Sequence, residues 1–152
     1  LALCLIFGLW LLFAFVRSSQ VFLSDSLLEN SKELIGQRLE LKELADMLQD
    51  QRIAVPGQSL LLVFWSTTCA PCLEELPQLS AKPDVVVVPI NTDRKDFLTD
   101  AERVAKILAP QFRFISDAEG YLQKQFKVKF VPTHVTISAE GIIQDIRVGK
   151  TR

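Results

Sequence analysis

Two apolar runs limit what this chain can fold into more than any other feature. SLLLVFW (Ser59–Trp65) and VVVVPIN (Val85–Asn91) contain no charged residue, and Pro56 and Gly57 stand ahead of the first. A strand that alternates apolar and polar residues lies on a surface. A strand that is apolar throughout is buried on both faces, which requires a sheet covered by helices on each side. Pro89 lacks a ladder donor, so the second run is expected to bulge or end early there.

The rest of the chain supplies that cover. KELADMLQDQ (Lys42–Gln51) places Leu44, Ala45 and Leu48 at helical spacing, and DFLTDAERVAKILA (Asp96–Ala109) gathers Phe97, Leu98, Ala101, Val104, Ala105 and Leu108 on one side. Asp96 or Thr99 is placed to cap the second of these helices. RLEL (Arg38–Leu41) and FRFIS (Phe112–Ser116) read as short strands, and EGYLQKQFK (Glu119–Lys127) as a short helix. THVTIS (Thr133–Ser138) and IIQDIRV (Ile142–Val148) flank a turn at Glu140–Gly141 and read as an antiparallel hairpin. Strands alternating with helices and closed by a hairpin give an α/β fold with a central mixed sheet flanked by helices. The chain has 152 residues, enough for one domain with a real core. GKTR follows the last strand directly, where a further helix is expected.

The first sixteen residues, LALCLIFGLWLLFAFV, carry no charge. As a helix they would reach about 24 Å, short of the ~30 Å hydrocarbon core of a bilayer. The sequence opens without a methionine, so residues 1–16 are expected to be the remainder of a transmembrane anchor. Residues 17–35 then form a juxtamembrane tether and 36–152 the folded domain. A cleaved signal peptide, with its apolar region of about 7–15 residues, is the alternative. Both readings place the domain outside the cytoplasmic membrane. Cys4, inside the apolar run, reads as a small buried residue. Seventeen basic residues against eighteen acidic, with no dense basic run, argue against a nucleic-acid partner.

The chemistry is concentrated in WSTTCAPCLEELP (Trp65–Pro77), straight after the first buried strand. CLEELPQL reads as the first turns of a helix, which puts Cys69 at a helix N-terminus. Unpaired N–H groups and the macrodipole there favour an anion, and a thiolate is the nucleophile of thiol–disulfide exchange. Pro71 is tolerated in a first turn because its missing N–H would have had no partner. Cys72 and Glu75 follow at successive three-residue steps on one face. Cys72 is then placed to resolve a mixed disulfide, and Glu75 to handle a proton near it, while Glu74 points to solvent. Other uses of the pair are a zinc site, a structural disulfide and copper delivery. Two cysteines and the single His134 fall short of the four ligands of a closed zinc site. A bridge over so short a loop stabilises little. Two thiolates and a histidine suit copper, so a copper-binding chaperone remains a second reading. In FVPTHVTIS, Pro132 just ahead of a strand is a candidate cis-proline.

Together these residues resemble the thioredoxin superfamily, and more narrowly its membrane-anchored TlpA/ResA-like thiol–disulfide oxidoreductases. That group's Trp followed by Cys-x-Pro-Cys-x-x-Glu-x-Pro is met by Trp65, Cys69, Pro71, Cys72, Glu75 and Pro77, and its cis-proline by Pro132, between Val131 and Thr133. DFLTDAERVAKILA plus FRFIS looks like the group's helix–strand insertion. Val63 stands where thioredoxin has a buried Asp, and Thr68 where many relatives have a second Trp. The resemblance implies a thioredoxin-like fold, an exposed nucleophile in Cys69, a buried resolver in Cys72, and Glu75 in place of the missing Asp. It implies a client groove at Trp65, Pro71, Val131, Pro132 and Thr133, with no cofactor and no metal. It further implies a single-pass protein of the bacterial cytoplasmic membrane, its catalytic domain on the periplasmic or extracytoplasmic side. There it would reduce exported clients such as apocytochrome c, with electrons from a membrane donor of the DsbD/CcdA type. A disulfide oxidase or isomerase uses the same residues.

Overall fold

The structure, a computed structural model, describes residues 31–48, 57–80 and 83–150. The expected anchor at 1–16 and most of the tether lie outside these residues. The compact unit begins at Ser31, ahead of the expected start at Gly36. Leu34 is already in the core, and Ser31 Oγ donates to the Lys127 carbonyl.

Five strands form one mixed sheet, β1 (Ser59–Trp65), β2 (Val85–Asn91), β3 (Ile115–Ser116), β4 (Thr133–Ile137) and β5 (Ile143–Val148), in the order β3-β2-β1-β4-β5. β1 and β2 are parallel, as are β2 and β3, while β4 runs antiparallel to both β1 and β5. Among the described residues, helices α1 (Leu41–Met47), α2 (Ala70–Glu75), α3 (Leu98–Leu108) and α4 (Tyr121–Gln125) accompany them. This is the thioredoxin-like α/β architecture expected from the sequence, including a helix–strand segment, α3 and β3, between α2 and β4.

The central position of β1 explains its composition. Leu60, Leu62 and Phe64 face one side with Val88 and Ile90 of β2, Val135 and Ile137 of β4, and Ile143 and Ile146 of β5. Leu44 and Ala45 of α1, Leu48 at its C-terminal end, and Leu122 and Phe126 close over them, the Phe64 and Phe126 rings meeting at 5.9 Å. Each fully buried side chain of this size contributes roughly 1.5–3 kcal/mol. The opposite side of β1, reached by Val63 and Trp65, is covered by α2 and α3, where Trp65, Cys72, Leu76, Ala101 and Ala109 form a second cluster. A charged residue at any inner position of β1 would therefore lie in a core.

Several elements differ from the sequence reading. β2 runs unbroken through Pro89, in register with Val63 of β1. β3 reaches only Ile90 and Asn91, so at Pro89 the outer flank of β2 is a sheet edge, where a missing donor is tolerated. The same shortness reduces FRFIS to Ile115–Ser116. RLEL is a single bridge, Arg38 to Ile142, because the chain turns into α1 at Leu41. α3 is entered through a 3₁₀ turn at Lys95–Phe97, and neither Asp96 nor Thr99 caps it.

The hairpin turn holds the incoming chain as well as joining β4 to β5. Gly141 has φ +82°, its carbonyl accepts from Leu39 N–H at 2.7 Å, and a Cβ built there would collide with the Leu39 carbonyl oxygen. Gly57 has a similar φ of +85° with open space around it. Gly57→Ala should therefore cost about 1 kcal/mol through backbone strain alone. Gly141→Ala should cost clearly more, about 2 kcal/mol or above, by adding the clash. Thermal or urea unfolding of the two variants checks the difference, and equal losses would show that the Leu39 contact contributes nothing.

Candidate active site

The site forms where β1 ends. Past Trp65 the chain leaves the sheet, and Thr92, just beyond β2, binds the Trp65 carbonyl through its N–H at 2.8 Å and its hydroxyl at 3.1 Å. Asp93 then holds the loop. Its carboxylate accepts from Ser66 Oγ at 2.6 Å, Thr67 N–H at 2.9 Å and Asn91 Nδ2 at 2.9 Å. Burial by itself pushes the Asp93 carboxyl up, but the hydrogen bonds from Asn91, Ser66 and Thr67 outweigh it and hold the group below the usual carboxylate range. Ser66 Oγ also accepts from Thr68 N–H at 3.2 Å, and the Ser66 carbonyl from Cys69 N–H at 3.2 Å. The backbone leading into the cysteine motif is thus fixed residue by residue.

Cys69 is the N-cap of α2, Pro71 lies in the first turn, and Cys69 Sγ accepts from Cys72 N–H at 3.3 Å. The two cysteines form a disulfide with Cα atoms 5.2 Å apart. They are unequally exposed. Cys72 is 1% exposed and packs with Trp65 and Leu76, whereas Cys69 is partly open and lines a groove of about 500 Å³. Ser66, Thr68, Pro71, Thr92, Gln123 and the segment Val128–Val131 also line that groove. Phe130, at its lip, is 45% exposed. Asp117 positions the α4 side by accepting from the N–H groups of Leu122 and Gln123 at 2.9 and 2.8 Å.

The Val131–Pro132 peptide is cis. Val131 lines the groove as expected. Pro132 is buried behind it, its carbonyl accepting from Gly149 N–H at 2.8 Å. Trp65 and Thr133, expected in the groove, are both turned away from it. Trp65 is 1% exposed because it ends a strand covered by α2 and α3, and Thr133 is buried with its hydroxyl donating to the Phe130 carbonyl at 2.6 Å.

Glu75 and Glu74 part company as their helical positions require. Glu74 is exposed and paired with Lys150 at 2.8 Å, which holds its carboxyl below the usual range. Glu75 is 4% exposed, one turn after Cys72 on the buried face of α2. Its Oε2 lies 3.1 Å from Nε2 of His134, itself 2% exposed on β4. His134 is the registered partner of Val63 across the β1–β4 ladder. Next to the position where thioredoxin's acid is absent, the neighbouring strand therefore supplies a polar group. Burial pushes the imidazole below its usual range, against the pull of Glu75. Among the described residues no three His, Cys, Asp or Glu side chains converge as a metal-ligand set, so Cys69, Cys72 and His134 do not assemble the site that a copper reading needs.

Sequence reasoning missed Asp93, and it named His134 only as a metal-ligand candidate and not as the partner of Glu75. Asp93 stands two residues past Asn91, at the carboxyl end of a parallel strand, where ligand and catalytic groups of open α/β sheets gather. His134 alternates with Pro132 and so shares its side of β4. That period-two pattern was the available signal.

Residues 31–152 match the Redoxin family. Among curated proteins, the chain is 26% identical over 118 residues to sporulation thiol-disulfide oxidoreductase A of Bacillus subtilis, covering 70% of each protein. It is 25% identical over 127 residues to the thiol-disulfide oxidoreductase ResA of Bacillus thuringiensis, covering 79% of this chain and 66% of the relative. The chain thus spans about two thirds of the length of these relatives. Among solved structures it is similar to a putative thiol:disulfide interchange protein DsbE from Chlorobium tepidum, with 26% identity, a TM-score of 0.57, and coverage of 78% of this chain and 84% of that one. The chain belongs to the Redoxin family, as a thioredoxin-like thiol–disulfide oxidoreductase whose exchanging pair is Cys69 and Cys72.

Proposed function

We propose that this protein is an exported reductant of protein disulfides, acting on clients outside the cytoplasmic membrane, of which an apocytochrome c is one example. The observation that carries the reading is the unequal exposure of the two sulfurs. Cys69 opens on a groove large enough for a peptide segment, and Cys72 is enclosed one turn behind it. The Cys69 thiolate attacks a client disulfide and forms a mixed disulfide. Cys72 then attacks Cys69 Sγ and releases the reduced client, leaving the intramolecular bond present in this structure. Glu75 takes the proton that Cys72 must lose. Val131 borders the groove, with Pro132 buried behind it, and a client strand pairs briefly with the backbone there.

The location rests on the uncharged opening segment, which anchors or exports the chain. Outside the membrane the surroundings are oxidising, so a reductant needs electrons carried across the bilayer. The resemblance to TlpA/ResA-like proteins supports a donor of the DsbD/CcdA type for that step. An oxidase or isomerase would use the same pair at a higher potential.

Two outcomes are expected. Cys72→Ser should accumulate client adducts through Cys69 that collapse on addition of dithiothreitol, and Cys69→Ser should form none. Adducts carried by Cys69→Ser would reverse the assigned roles. Alkylation of intact cells should find the pair mostly reduced, with a reduction potential nearer ~ −270 mV than ~ −120 mV. A pair found steadily oxidised in cells, with a potential at the upper figure, would make the protein an oxidant.

A further inference from the structure

His134, paired with Glu75 in a buried contact, is the polar group that the exchange reaction leaves unexplained. Both side chains lie in the cover over the sheet, 5% and 2% exposed, with Glu75 Oε2 and His134 Nε2 3.1 Å apart. One proton must lie between these atoms, and two arrangements place it. Either Nε2–H donates to an ionised Glu75, or a protonated Glu75 donates to Nε2. The second requires the neutral ring to carry its own proton on Nδ1. That atom is buried without a hydrogen-bond partner, so a proton there would be an orphaned donor, costing on the order of 1–3 kcal/mol. An imidazolium carries the same orphan and adds a buried charge. The groups facing His134 act in the same direction. β1 presents apolar Val63, and β5 presents Arg147, the registered partner of His134 and bonded to Asp145, whose charge disfavours a cation on the ring. Glu75 arrives from α2, with Cys72 one turn earlier.

We propose that His134 is a positioning residue for thiol–disulfide exchange: its Nε2–H, donated to Glu75 Oε2, holds that carboxylate ready to accept the proton of Cys72, while the partnerless Nδ1 prevents the ring from carrying the proton onward. The proposal rests on Glu75 being the base for Cys72. The step balances as follows. The Cys72 S–H bond breaks and its proton passes to the Glu75 carboxylate. The Cys72–Cys69 S–S bond forms, the bond between Cys69 and the client breaks, and the client leaves as a thiolate. Two electrons have passed from the cysteine pair to the client. Throughout, the imidazole stays neutral, still donating to Glu75, so the proton leaves by the carboxyl and not through the ring. In the reverse direction the Glu75 acid returns the proton to Cys72.

Oxidised glutathione serves as the probe, and quenched flow with mass spectrometry separates formation of the Cys69 adduct from its closure by Cys72. Closure does not depend on glutathione concentration and reports the Cys72 step alone. His134→Leu should slow closure about tenfold or more at pH 7 and alter its pH profile, because the base loses the donor that holds it in place. His134→Gln offers an N–H donor that cannot titrate, and should recover most of the rate and the original pH profile. A Gln variant as slow as Leu would overturn the proposal in favour of a relay. An unchanged rate and profile in His134→Leu would overturn it outright. Glu75→Gln separates the two layers. If it leaves closure unchanged, the assignment of Glu75 as base falls and the proposal with it. If it slows closure while His134→Leu does not, only the role of His134 falls. Should the Leu variant fail to fold, the native protein still decides. His134 is the chain's single histidine, so its ring nitrogens give an unambiguous ¹⁵N signature. A neutral ring protonated on Nε2 at pH 7 is expected, and protonation on Nδ1 or an imidazolium would overturn the proposal.

Discussion

The burial of β1 on both faces and along both edges is the constraint on which the rest of this molecule depends. Leu60, Leu62 and Phe64 are fully enclosed on one side, and Val63 and Trp65 on the other. β2 and β4 take up the hydrogen bonds at its edges. A strand held this tightly ends at a defined point in space, and the reacting sulfurs begin four residues later. The sheet therefore acts as a rigid mount for Cys69. What remains is to carry that rigidity across the short loop between the strand and α2.

Asp93 carries it. One carboxylate at the end of β2 accepts from Ser66 and Thr67 in the loop and from Asn91 in its own strand, which ties two neighbouring strand ends and the loop together. Hydrogen bonds to an ionised, partly buried carboxylate are among the stronger ones available to a protein, about 1.5–3 kcal/mol each. The arrangement holds the loop without placing a charge in the groove, since the carboxylate is turned inward to its donors. The groove is left to side chains that a client can meet, with the sulfur of Cys69 at its edge.

Much of this was legible in the sequence, and the parts that were not share a cause. Unbroken apolar runs announced both central strands, and the steps Cys69, Cys72, Glu75 announced a shared helical face, because those signals depend on local geometry alone. The fate of Pro89 could not be read locally, since it turns on how far β3 extends along β2. RLEL became a single bridge for a similar reason: its only partner is the far end of the hairpin. Trp65 was expected in the groove from its place in the motif, but burial is set by what covers a residue, and α2 and α3 cover this one. The contact of His134 with Glu75 could not be read locally either, since it depends on β4 lying beside β1 beneath α2.

That last meeting has consequences for how the site tolerates its own burial. A lone carboxylate beneath α2 would have to be neutralised or solvated, and a lone imidazole on β4 would leave two ring nitrogens without partners. Together, each supplies a partner to the other across a 3.1 Å contact, and Nδ1 of the ring is left unbonded. A merely structural filler for this space would cost less, because apolar side chains of similar volume often replace buried ion pairs with no loss of stability. Keeping two titratable groups here, one turn behind a resolving cysteine, fits a fold that uses some of its stability to keep a proton acceptor in place. The alternative, a purely apolar cover like that of α1 on the other face, would leave Cys72 with no group within the cover to take its proton.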